Sequence, residues 1–182
     1  MKEKTSLPLI DYWTREELDD LKKKLNQRRG SYLKARYLLT LAYEMIHDNS
    51  IEQQKKGVSL MKMMIELFPN EYMITMGGNS CLGKYYRSVS DYEKAVFHFK
   101  KIMDYNHSTI STGKYDMPEF QIALTIILLN QGEKYGYARE LLDSINPRTL
   151  FIQEHRELYY RMKDFLDGKI HRNEVKSFFH EY

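Results

Sequence analysis

Gly78-Asn79-Ser80-Cys81-Leu82-Gly83-Lys84 has the spacing of a phosphate-binding loop. Such a loop needs backbone amides free to face the ligand, and a following Ser or Thr to hold the metal. Position 85 is Tyr, no strand precedes the segment, and it reads as helix interior, where the amides bond to the helix itself. Nucleotide chemistry is therefore not expected. The six histidines, at 47, 98, 107, 155, 171 and 180, include no His-x-x-x-His pair that would set two metal ligands on one helical face. His98 and His155 read as residues on solvated helix faces or at packing edges, and Cys81 as a small apolar filler. No Ser/His/Asp or Cys/His set is legible. The expectation is a protein with no catalytic residue, no cofactor and no metal; an enzyme with an unrecognised site is the lesser alternative.

The elements that would carry any site are helical. The chain has 182 residues, enough for one domain or a short repeat array, and 42% are apolar, enough for a core. Four Pro and nine Gly fall mostly where helices should stop, and no stretch alternates with period two. An all-α fold follows. A net charge of +3 without a long basic run disfavours nucleic acid as the main partner. No apolar run is long enough for a membrane span. The polar N-terminus and single Cys81 suggest a cytoplasmic location.

The spacing predicts an extended arm over 1–13, then a first helix over 14–30, with Thr14 and Glu17 forming a capping box and Gly30 ending it. Acidic residues precede Lys22, Lys23, Lys24, Arg28 and Arg29 in this helix, an order that suits the helix dipole. Helix pairs are predicted at 31–69, 71–106 and 117–147, with capping helices over 148–182, the first of them from Thr149 to Leu166. Residues 106–117, rich in Ser, Thr, Gly and Asp, read as a long loop. The apolar run from Ile122 to Leu129 reads as a central helix covered on most sides.

The pairs repeat. Gly57, Ala95 and Ala138 each sit early in a second helix, 38 and then 43 residues apart, and each has a large apolar residue four later: Met61, Phe99 and Leu142. The small residue lets one helix approach its partner's backbone, and the large one fills the gap between pairs. Leu82, Gly83, Tyr86, Tyr92, Ala95 and Phe99 follow in order and spacing the pattern of a tetratricopeptide repeat, and the unit at about 76–109 resembles that family. Asn79 stands where the family often has Trp, and His107 where it often has Pro. The first unit keeps Gly57 and Pro69; the third keeps Tyr135, Ala138 and Leu142 without Leu-Gly.

The resemblance implies an α-solenoid of about three helix-turn-helix hairpins, with an N-terminal arm and C-terminal capping helices, in one domain over 1–182. It also implies that the first helix of each pair lines a concave groove. Groove-facing residues would then be Ser80, Lys84 and Arg87 in the central unit and Phe120, Ala123, Ile127 and Asn130 in the third. Tyr32, Arg36 and Tyr43 would serve in the first. A partly basic, partly apolar groove suits a protein or peptide partner with an acidic group and an apolar anchor. The expected function is a non-catalytic adaptor; the alternative is a small inhibitor or immunity-type protein that blocks an enzyme or toxin. Oligomeric state stays open, because the apolar arm and Phe178-Phe179 suit either a sealed core or a pairing of two copies.

Overall fold

The computed structural model describes residues 10–106, 117–150 and 152–180. Arm residues 1–9, with Leu7, Pro8 and Leu9, and loop residues 107–116, with His107, lie outside them. The described residues hold nine α-helices and no strand: α1 (Arg15–Asn26), α2 (Ser31–Ile46), α3 (Ile51–Leu67), α4 (Tyr72–Ser88), α5 (Tyr92–Asn106), α6 (Pro118–Leu128), α7 (Tyr135–Ser144), α8 (Gln153–Leu166) and α9 (Arg172–His180). The chain divides into two compact units, Met1–Leu82 and Gly83–Tyr182.

In the first unit the capping box forms as predicted. The Glu17 amide donates to Thr14 Oγ1 while Glu17 Oε2 accepts from the Thr14 amide at 2.8 Å. α1 ends earlier than expected, at Asn26, and Gly30 (φ +82°) is instead the residue before α2. A left-handed glycine can open a helix as well as close one. Here Arg28 lies 3.6 Å from the centre of the Tyr37 ring, on α2. Glu17 also accepts from Lys56 Nζ of α3 at 2.7 Å. This bond, with the Thr14 amide's, holds the Glu17 carboxyl below its ordinary range. Beyond α1, Trp13 Nε1 donates to the Lys56 carbonyl at 3.1 Å and Ser59 Oγ to that of Asp11 at 3.0 Å. The end of the arm thus lies on α3.

α2 and α3 pack together across a short turn. A Cβ placed on Gly57 would sit 2.8 Å from the Ile46 nitrogen and 2.9 Å from the Ala42 oxygen, so only a glycine permits this approach. The core face of α3 is Val58, Leu60, Met61, Met63 and Met64. α4 begins in this unit, where Gly78 meets Met64 and Ile65, and Gly77 faces Leu39 of α2.

In the second unit the end of α4 packs on α5: a Cβ on Gly83 would lie 2.6 Å from the fully buried Phe99 ring. Ala95, Ala138 and Leu142 are also fully buried, as the repeat spacing predicts. α6 is the hub, touching α5, α7, α8 and α9, and every residue from Phe120 to Ile127 is buried. α4 and α6 end in the same turn. Ser90 (φ +62°) and Asn130 (φ +57°) are left-handed, and the next amide reaches back five residues, Asp91 to Tyr86 at 2.8 Å and Gln131 to Ile126 at 2.9 Å. Asp91 Oδ1 then accepts the Lys94 amide at 3.2 Å, capping α5. The helix predicted from Thr149 starts later, at Gln153. Asn146 caps a single 3-10 turn over Pro147–Thr149 and takes those residues out of the helix.

Candidate partner-binding site

The ten residues predicted to meet a partner have different fates. Arg36 and Tyr43 are exposed on α2, Tyr43 by 53%. They continue a stripe with Tyr32, which is half exposed, and His47, whose ring lies 4.1 Å from that of Tyr43 at a tilt of 32°. Met73, on the outside of α4, is exposed as well, and the Gly77–Leu39 approach brings this part of α4 alongside α2. The Ser31 hydroxyl bonds to Glu71 just before α4 and ties the two helix starts together. The first unit therefore presents aromatic rings, a guanidinium and a thioether on neighbouring first helices.

Ser80 belongs to this unit but is buried. The phosphate-loop spacing around it lies wholly inside α4, so its backbone is helical, as the sequence implied. Cys81 is buried, consistent with its reading as filler.

In the second unit Lys84 is exposed on α4. Arg87 is only 7% exposed and donates from Nη1 to Gln121 Oε1 at 2.8 Å. Its guanidinium carbon lies 5.6 Å from the centre of the Phe99 ring and 5.0 Å from that of Phe179 on α9. Phe120 is 2% exposed, with the α8 side chain of His155 against it at 5.6 Å between ring centres. Asn130 is exposed, and its left-handed backbone closes α6 while its Oδ1 accepts from Tyr135 Oη at 2.9 Å. As placed, Ser80, Arg87, Phe120, Ala123 and Ile127 are buried and offer no surface to a partner, and Asn130 builds a turn. Helical spacing says which way a side chain points. It does not say that α8 and α9 cover that side.

Sequence reasoning missed a buried polar core beneath these residues. Gln121 and Thr125 sit one turn apart on α6, and Thr125 Oγ1 donates to the Gln121 carbonyl at 2.7 Å. Two polar residues within an otherwise apolar run were the available signal. His98 takes the packing position of its two expected placements: it is buried and stacked nearly parallel on Tyr86 at 5.5 Å. Among the described residues no cluster of His, Cys, Asp and Glu is arranged to hold a metal ion, and no helix is long and apolar enough to cross a membrane. No family model matches the chain, and no curated protein or solved structure shows significant similarity to it.

Proposed function

We propose that the chain is a non-catalytic scaffold, an α-solenoid of about three tetratricopeptide-like hairpins, that docks a protein or peptide on the α2 face of its first unit. The observation that carries this reading is the exposed stripe of Tyr32, Arg36 and Tyr43 beside Met73. Tyr, Met and Arg are the side chains that protein interfaces favour, because they combine broad contact area with directed polar groups. The close approach at Gly57 and Gly83, one early in a second helix and one late in a first, supports the hairpin-repeat assignment. The partner that suits the stripe carries a carboxylate for Arg36 and an apolar anchor for the tyrosines and Met73.

The test is selection of binders from a displayed peptide library on the full chain, followed by calorimetry on Arg36→Glu and Tyr43→Ala. Acidic peptides with an apolar anchor should emerge, and each substitution should weaken them about tenfold or more, the loss of one well-placed contact. Binders indifferent to both substitutions would refute the α2 site and favour the inhibitor reading.

A further inference from the structure

α9 is a helix seated on the face that the repeat pattern assigns to ligands. It packs on α6 and α8. Side chains in the pattern i, i+3, i+4 seat it: Val175 is fully buried, Phe178 lies against Arg161 of α8 at 4.6 Å, and Phe179 against Arg87 of α4 at 5.0 Å. Two aromatic rings are thus each met by a guanidinium from the body, and one of those guanidinium groups is fixed by Gln121. Asn173, Glu174 and Ser177 make the exposed, polar face.

The attachment is slight. α9 has nine residues, and helices shorter than about 12 residues are marginal in water without a packed face. Its link to α8 is a turn with Gly168 left-handed at φ +74° and the Lys169 amide bonded back to the Asp164 carbonyl at 2.9 Å. Ion pairs brace this turn from the α7–α8 side: Arg139 to Asp167, and Lys169 to Asp164 at 3.0 Å. They hold the end of α8 and do not reach α9. A nine-residue helix joined through a left-handed glycine turn is an element able to open on its own.

We propose that α9 is a detachable self-ligand. When it lifts, the face of α6 and α8 beside Arg87 of α4 takes a partner's amphipathic helix with the same triad, an aliphatic residue followed at i+3 and i+4 by two aromatics. The resident helix supplies the argument for that occupant, since the site already fits its shape and its cation–ring contacts. The inference rests on the scaffold reading only in treating first helices as docking faces. Its variants lie in α8 and α9, those of the scaffold reading in α2, so either can fail alone.

The experiment uses the full chain and a fluorescein-labelled synthetic peptide of residues 168–182, read by anisotropy. Wild type should bind it at least about tenfold more weakly than Phe178→Ala/Phe179→Ala, because a site occupied internally nine-tenths of the time is reduced in apparent affinity by that factor. Adding Arg161→Ala to the double variant should weaken the peptide again, and a peptide with both phenylalanines changed to alanine should not bind. Equal binding by wild type and the double variant, or binding by neither with helical circular dichroism intact, overturns the proposal. Should the double variant fail to fold, hydrogen exchange on wild type decides. Amides of 174–179 should exchange at least about tenfold faster than those of 121–127 through an opening of their own; equal rates overturn it. Exchange of α9 between two copies, seen as a dimer by light scattering, would refute a partner helix as occupant.

Discussion

Gly57→Ala adds one methyl where there is no room for it. The new carbon would stand 2.8 Å from both the Ile46 nitrogen and Met45 Cβ, and 2.9 Å from the Ala42 oxygen. Two of these are backbone atoms of α2, so relief requires the helices to separate rather than a side chain to turn. Overpacking of this kind costs about 1–3 kcal/mol. Alanine in place of glycine in a helix interior returns up to about 1 kcal/mol. With the full offset, the net expectation is a loss of up to about 2 kcal/mol, or up to about 1 M in the urea midpoint with the slope unchanged. Gly77→Ala is the matched control. Its methyl would meet only Leu39 Cδ2, at an ordinary 3.7 Å, and should stabilise by about 0.5–1 kcal/mol. Both glycines lie in the first unit. Trp13, the only tryptophan, bonds to the Lys56 carbonyl beside Gly57, so its fluorescence follows this unit directly. If Gly57→Ala proves as stable as Gly77→Ala, the close α2–α3 approach is wrong.

Phe99→Ala should cost about 3–5 kcal/mol, since the ring is fully buried against Gly83, and Gly83→Leu about 1–3 kcal/mol by overpacking; thermal melts followed by circular dichroism check both. Arg87→Ala should lose about 1.5–3 kcal/mol with its charged hydrogen bond to Gln121, while Lys84→Glu on the exposed side of α4 should stay within about 0.5 kcal/mol of wild type; equal effects in urea titrations would contradict their placement. The Glu17 carboxyl is held low by Lys56 and the Thr14 amide. Its contribution is therefore present above the ordinary carboxylate range and lost as pH falls through the lowered value. Melting followed by Trp13 emission should weaken on acidification, and Glu17→Gln should flatten that slope; an unchanged slope would count against the contact.

The helices were legible because their stops are local. Thr14 with Glu17, the turn before Ile51, Pro69 and Pro118 each mark a boundary through their own backbone chemistry. Gly30 was ambiguous for a physical reason: a left-handed residue serves a helix start and a helix end alike. The small–large pairs were legible too, since Ala95 and Phe99, or Ala138 and Leu142, stand one turn apart on one face. The candidate site was legible only in part. Arg36, Tyr43 and Lys84 are exposed as expected, but the burial of Arg87 and Phe120 depends on Phe179 and His155 more than thirty residues away. No periodicity within α4 or α6 encodes a covering by α9 or α8.

The methionines of α3 have a consequence for how this chain can vary. Met61, Met63 and Met64 fill the first unit's core with unbranched, polarizable side chains that repack around a neighbour of altered shape. The second unit's core is instead built from the branched Ile122, Ile126 and Ile127 with the ring of Phe99, whose shapes fit fewer alternatives. Mutational tolerance is then uneven along one chain. A deep substitution scan should show a permissive interior at 58–64 and a restrictive one at 120–127.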